Sequence, residues 1–382
     1  MNKQTYFDHA ATSPMHPEVI QVMTQAMTEH YGNASSIHQI GRESKGMLEE
    51  ARVVFAKSIH AEPKEIILTS GGTESDNTAI MGTARKFKSK GKHIISTAVE
   101  HPAVREPLLS LEKEGYVITF LPVNEEGFIT ADQVEEALRE DTILVSIIYG
   151  NNEVGTIQPI EDIGQMLANQ DRKILFHTDA VQAYGTEKID VKKQHIDMLS
   201  VSSHKINGPK GIGFLYVNKD MPIPSMMLGG EQENKKRAGT ENIPAILGFQ
   251  KAVELRQAQQ DELRQEYKGL KHLAVQTLEE KGINYTVNGS LENSLPHILS
   301  LHLPGVPAER LLIHLDLATI AVSIGSACSA GNVDPSHVLT ALYGEHHPAI
   351  SETIRISFGL GNNEEGIHYL IDNIEKAIAF LS

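Results

Sequence analysis

A chain of 382 residues is longer than one hydrophobic core usually organises, so one large and one smaller domain are expected. Hydrophobic residues make up 40% and charged residues 22%, with no low-complexity tract, which argues against a disordered chain. The net charge of −15 argues against a protein that itself lies along nucleic acid, where Lys and Arg must neutralise phosphate.

The opening MNKQTYFDHAATSP has no apolar core of signal-peptide length, and no later run approaches the roughly eighteen apolar residues of a membrane span, so a cytoplasmic protein is expected. From residue 64 to 217, β-rich runs alternate with helical patterns. EIILTS precedes a helix from Thr73, HIISTA one from Pro102, and VITFLPV one opening at Thr130, where Gln133 completes a capping-box pattern. TILVSIIYG, KILFHTDA, DMLSVSS and GIGFLYV are apolar throughout, which suits strands covered on both faces. The series predicts an α/β domain whose mainly parallel sheet is flanked by helices. A long polar-faced helix over 243–281 follows, then strands HILSLHL and TIRISFG among further helices, the last in NEEGIHYLIDNIEKAIAFL. The large domain is expected over 15–260 and a smaller α+β domain over 261–382, with segment 1–14 packing near the latter.

In open parallel sheets ligands bind beyond the carboxyl ends of the strands, so the residues that follow each strand are the ones to weigh. After EIILTS come Gly71, Gly72 and Thr73 at a helix start, either an anion cradle or a plain glycine turn with Thr73 as its cap. After KILF come His177, Asp179 and Gln182. Asp179 suits the nitrogen of a pyridine ring, an N-cap role or an H-x-D metal pair. After DMLSV come Ser202, His204 and Lys205, where a lysine able to lose its proton suits a Schiff base and an ordinary surface lysine is the default; Lys210 is a rival set in turn chemistry. Together, a phosphate site, a pyridine carboxylate and a lysine are the three handles that pyridoxal 5'-phosphate requires. Cys328 is the only cysteine, so no intramolecular disulfide forms, and a lone cysteine is usually a small buried hydrophobe.

The segments YFDHAATSPMHP, YGNASSIHQIGR, EIILTSGGTESDN, VEHPAV, ILVSIIYGNNEVG, FHTDAVQ, SSHKINGPKGIG, KKRAGTEN, SIGSACSAG and TIRISFG resemble the cysteine desulfurases of the NifS/IscS type, in the class V aminotransferase group of fold-type I pyridoxal phosphate enzymes. The likeness spans nearly the whole chain, and SSHKINGPKG and GSAC are its most specific parts. It implies that Lys205 carries the cofactor and then acts as base at the substrate α-carbon. Asp179 would pair with the ring nitrogen, His101 stack on the ring and move protons, and Gln182 bond the ring hydroxyl. Gly72, Thr73, Ser202 and His204 would hold the phosphate, with Thr240 reaching it from the other subunit of a homodimer. Asn33, Asn152 and Arg355 would take the substrate, L-cysteine, Asn152 also touching the cofactor, and Arg355 is suited to a bidentate grip on carboxylate. Cys328 becomes the nucleophile that takes the sulfur as a persulfide and leaves alanine. The length from Cys328 to Pro335 matches members that hand sulfur to acceptor proteins. An end at Ser382 lacks the docking extension of members that load an iron–sulfur scaffold, so supply to a tRNA thiolase, or to a more general set of acceptors, is favoured over scaffold loading.

Rival readings remain. A selenocysteine lyase or another class V pyridoxal phosphate enzyme would share most of these residues, although an aminotransferase needs no thiol at Cys328. A metal-dependent hydrolase on His101, His177, Asp179 and His204 lacks tight ligand spacing, so no metal is expected. A silent binding platform would have little use for Lys205, Asp179, His101 and Cys328 together. His101 could instead cap a helix, and Arg355 could be an ion-pair partner.

Overall fold

The computed structural model describes residues 5–324 and 335–381. The chain opens with the short strand β1 (Thr5–Tyr6) and helices α1 (Pro17–Glu29) and α2 (Gln39–Lys57). A central sheet follows, made of β2 (Ile66–Thr69), β3 (His93–Thr97), β4 (Val117–Leu121), β5 (Thr142–Ser146), β6 (Leu175–Asp179), β7 (Met198–Ser202) and β8 (Gly213–Val217). Their spatial order is β2-β8-β7-β6-β5-β3-β4. Only β8 runs against its neighbours, so the other six strands all end on one side of the sheet. Every residue of β5, β6, β7 and β8 is buried, as their unbroken apolar runs require, whereas Val117 on edge strand β4 is 44% exposed.

Local sequence fixes the helix starts. The connecting helices are α3 (Gly72–Phe87), α4 (Pro102–Lys113), α5 (Ala131–Glu136) and α6 (Ile160–Ala168). Thr130 and Gln133 close the expected capping box on α5. Pro102 occupies the first turn of α4, where its missing N–H costs nothing. α3 starts at Gly72, one residue before the position expected, because Gly71 supplies its entry at φ 145°, which a side chain would resist. A Cβ on Gly213 would come within 2.3 Å of Val201 O and 2.8 Å of Gly71 Cα, so β8 lies close to this turn only because both positions are glycine.

Beyond the sheet come a short turn α7 (Gln232–Lys235), the long helix α8 (Ile243–Glu280), β9 (Thr286–Val287), β10 (Ile298–His302), α9 (Ala308–Leu317), β11 (Ile320–Ala321), α10 (His337–Tyr343), β12 (Thr353–Ser357) and α11 (Glu364–Leu381). Strands β12, β10 and β9 form an antiparallel sheet, and β1 pairs with β11. The expected division near residue 260 falls within α8, about 57 Å of unbroken helix at 1.5 Å per residue. Its first half lends Ile246, Phe249 and Val253 to the core around the central sheet, and its second half lends Tyr267, Leu270 and Leu278 to the core around β10 and β12. The N-terminal segment ties the two together. Asp8 bridges to Ser357, and the Ser13 hydroxyl donates to His204 O at 2.7 Å. Among the described residues no helix is long and apolar enough to cross a membrane.

Candidate active site

The strand ends on the common side of the sheet converge on a cavity of about 270 Å³. β2 delivers Gly72 and Thr73, β3 delivers His101, β5 leads to Ile148 and Asn152, β6 ends in Asp179 with Gln182 just beyond, and β7 delivers Ser202, His204 and Lys205; all of them line it. Nine of the residues read from the sequence as site residues therefore share one space, although they are scattered from residue 72 to residue 205.

At one end, α3 begins at the cavity with Gly72 and Thr73 in its lining, and among the described residues no side chain caps its N-terminus. Among the described residues nothing binds the Thr73 or Ser202 hydroxyl. His204 stands beside them with Nδ1 3.1 Å from Thr12 Oγ1. Burial, with the Lys205 charge next, holds its imidazole down to about 4, so it is neutral at pH 7.

Lys205 follows a single 3-10 turn after β7. Its ammonium donates to Ala10 O at 2.5 Å and Ala11 O at 2.9 Å, so the N-terminal segment supplies the groups that receive it. Burial, and after it the nearby Arg355 guanidinium, lowers this amine from the usual lysine range to about 8. At the far wall, Asp179 is 4% exposed and its Oδ1 accepts from Val181 N at 2.9 Å. Burial first, then the neighbouring Asp76 carboxyl, raise it to about 7. No helix starts after β6, so Asp179 is not an N-cap; its bond to Val181 N closes a local turn and leaves Oδ2 for another partner.

His101 does cap a helix, α4: its Nδ1 accepts from Ala103 N at 3.1 Å, and that bond puts the proton of the neutral ring on Nε2. Burial keeps its pKa below the ordinary histidine value against the opposing pull of Asp179. Gln182 donates from Nε2 to Ala10 O at 2.9 Å, and its Oε1 sits 3.4 Å from His297 Nε2. Arg355, on β12, lies at the edge behind Asn152. It donates to Asn152 O and to the Asp8 carboxylate, both at 2.9 Å, so the ion-pair alternative is also true of it.

Other expectations fall outside the cavity. Asn33 is exposed, and its side chain accepts from Ser35 N at 2.8 Å within its own turn. Thr240 is exposed as well, and Lys210 lies on the surface of its turn. His177 is fully buried with Ser146 Oγ 2.8 Å from Nδ1 and Ser200 Oγ 3.0 Å from Nε2, which takes both ring nitrogens out of any metal set. Among the described residues no three His, Cys, Asp or Glu side chains are grouped to hold a metal ion. Cys328 lies outside the described residues. Four contributors were missed in the sequence: Asp76, Glu100, and the carbonyls of Ala10 and Ala11. Asp76 had a readable signal, because a helix residue four after Gly72 falls on the same face one turn later.

The chain matches the aminotransferase class-V family over residues 5–370. It is 53% identical over 380 residues to a Bacillus subtilis (strain 168) protein carrying the name IscS 1, covering 100% of both chains. It is 44% identical over 378 residues to a protein of Dictyoglomus turgidum (strain DSM 6724 / Z-1310) named cysteine desulfurase IscS, covering 99% of this chain and 95% of that one. A solved structure titled NifS-like protein superimposes with a TM-score of 0.93 at 34% identity over 99% of this chain and 100% of the other. One titled SspA in complex with cysteine does so at 0.80 and 36% identity over 93% and 98%. A matching family over nearly the whole length, on a fold that gathers a lysine, a carboxylate and a helix N-terminus in one cavity, makes this chain a member of the aminotransferase class-V family, in the branch that holds the IscS-type cysteine desulfurases.

Proposed function

We propose that this chain is a cytoplasmic, homodimeric cysteine desulfurase that uses pyridoxal 5'-phosphate, converts L-cysteine to L-alanine, and passes the sulfur from Cys328 to an acceptor protein, a tRNA thiolase or an iron–sulfur scaffold. The observation that carries it is the meeting of Lys205, Asp179 and the Gly72–Thr73 helix start in one cavity. The residues present fit the cofactor. Beneath Asp179 the buried Asp76 Oδ1 has no hydrogen-bond partner among the described residues, so this wall is short of a positive group of the kind a protonated ring nitrogen supplies. Lys205 would hold the aldehyde, Gly72, Thr73, Ser202 and His204 the phosphate, Asp179 the ring nitrogen, Gln182 the ring hydroxyl and His101 the ring face. When bound, the group would supply an electron sink for the charge left at the substrate α-carbon.

The chain's own residues account for the rest. With its amine near 8, about one Lys205 in ten is neutral at pH 7, ready to form the attachment and, once released, to take a proton from the α-carbon. The Ala10 and Ala11 carbonyls receive the side chain in its ammonium form. Arg355 and Asn152 are set to orient the substrate carboxylate. Both ends of the segment that carries Cys328 are tied to neighbours of the cavity, which supports a thiol that works there. On one side the Ser323 backbone pairs with Arg355; on the other Ser336 donates to Glu153 and His337 Nε2 lies 2.8 Å from Glu100 O. The exposure of Thr240 on its own chain, outside the cavity's lining, supports a role for it in a second subunit.

Mass spectrometry of the protein after exposure to the cofactor and L-cysteine, with and without borohydride, tests the reading. The expected result is cofactor mass fixed on Lys205 and one added sulfur on Cys328; Cys328→Ala keeps the first and loses alanine release. Cofactor fixed elsewhere, or alanine formed undiminished by Cys328→Ala, would overturn it.

A further inference from the structure

Three acidic side chains crowd the wall of the cavity that Asp179 occupies. Asp179 is 4% exposed, Asp76 on α3 is 1%, and Glu100, between β3 and α4, is 0%. Asp76 itself lines the cavity. Its Oδ1 has no hydrogen-bond partner among the described residues, and the nearest basic atom is His177 Nε2 at 3.5 Å. His177 does not balance it, because burial holds that imidazole down to about 4 and hydroxyls take both nitrogens. Glu100 accepts from Thr97 Oγ1 at 2.8 Å and from Ile148 N at 3.0 Å through Oε1, while burial raises it to about 8, so it is a neutral acid at pH 7.

The groups that face Asp76 can be taken element by element. β6 presents His177 and Asp179, the turn into α4 presents Glu100 and His101, and the loop after β7 presents His204 and Lys205. β7 itself presents the uncharged Ser200, and Glu74 on α3 is already bonded to Arg237 at 2.9 Å. Of the cations, Lys205 is received by the Ala10 and Ala11 carbonyls on the far side, and His101 is kept neutral by burial. Two buried carboxyl groups on one wall, without a fixed cation, cannot both be ionised cheaply.

We propose that Asp76 is a positioning residue for the ring nitrogen, acting through Asp179: the two acids share one proton in the cofactor-free protein, and that proton passes to the nitrogen when the ring enters. The count balances, since the pair loses one proton and the ring nitrogen gains one, so the wall keeps one net negative charge in both states. A single carboxylate is enough to accept a hydrogen bond. The second holds the nitrogen's proton in place while electron density flows into the ring. Burial raises Asp76 to about 7, as it does Asp179, well above 3.8, which fits a shared proton near neutrality. Because these acids bind protons more tightly folded than unfolded, the cofactor-free protein loses stability as pH rises through about 7. A cation at the wall offsets that loss.

The inference rests on the pyridoxal phosphate reading, and the experiment separates the two. Cofactor labelled with nitrogen-15 in the ring is bound to the wild-type protein and to Asp76→Asn, and the nitrogen shift is followed between about pH 6 and pH 9 together with the dissociation constant. Wild type is expected to keep the ring nitrogen protonated across the range. In Asp76→Asn the proton should be lost at least about one pH unit lower, with binding about tenfold weaker near pH 8. A nitrogen that titrates identically in both proteins overturns the role of Asp76, whereas wild type that takes no cofactor on Lys205 overturns the functional reading instead. Should the variant fail to fold, carbon-13 aspartate spectra of the cofactor-free wild type decide. Two aspartate carboxyls titrating together above about pH 6, and silenced by cofactor, are expected; one or none overturns the shared proton.

Discussion

Arg355 commits its guanidinium to Asn152 O and Asp8 while its charge bears on Lys205, so one residue would link the proposed substrate grip to the chemistry of the amine. Lys205 titrates near 8, and only the neutral amine attacks an aldehyde. The rate at which cofactor-free protein takes up pyridoxal phosphate, followed by absorbance, should therefore climb about tenfold per pH unit below pH 8 and level off above it. Arg355→Gln removes a neighbouring positive charge, which moves that plateau to higher pH and, separately, raises the KM for cysteine about tenfold or more. A plateau unmoved by the variant would show that burial alone sets the amine. Lys205, Asp179 and Thr73 were legible in the sequence because each directly follows an apolar run, where parallel sheets collect their ligands. Asp8 and Ala10 were not. Their roles depend on contacts to residues 355 and 205, and no local pattern encodes a partner about two hundred or more positions away.

Among the elements, strand positions and the long α8 could be read from periodicity and caps, but the turn that packs between α2 and β2 could not. Glu233, Asn234 and Lys235 all adopt positive φ, at 48°, 54° and 65°, a conformation that non-glycine residues resist. Tertiary bonds over-determine it. Arg52 on α2 donates to both Glu233 oxygens at 2.8 Å, and Leu68 N on β2 donates to Oε2 at 2.8 Å. The two side chains are 4% and 3% exposed. Breaking a buried pair from one side leaves an uncompensated charge, so Arg52→Ala should cost about 3–5 kcal/mol in denaturant unfolding. Arg52→Ala combined with Glu233→Ala should cost less than the single variant, since no orphaned carboxylate remains. Equal costs would mean that the pair contributes packing rather than charge balance. The same turn leads to Arg237, which clamps Glu74 in the first turn of α3, and then to Thr240.

For the molecule as a whole, two cores joined by α8 set the cavity beneath the strand ends, and the segment from Asp8 to Ser13 laces them together across it. Composition and strand patterning were enough to anticipate this architecture, because burial on both faces leaves its mark in the sequence. A surface made to be covered by another copy leaves a weaker mark, since isolated exposed apolar residues are ordinary. Thr240 is exposed on this chain, outside the cavity's lining, and a role at the phosphate therefore requires it to act in a second subunit's site. That arrangement has an arithmetic consequence. Lys205→Ala removes the attachment point from a subunit's own site, and Thr240→Ala would weaken only the neighbour's. When the two variants are unfolded together and reassembled at equal amounts, half of the dimers are mixed, and each mixed dimer rebuilds one native site, so about one site in four should regain tight cofactor binding. Neither variant alone reaches that level. If Thr240 served its own chain, no mixed dimer would hold Lys205 and Thr240 in one site, and the titration would show no tight fraction above that of the separate variants.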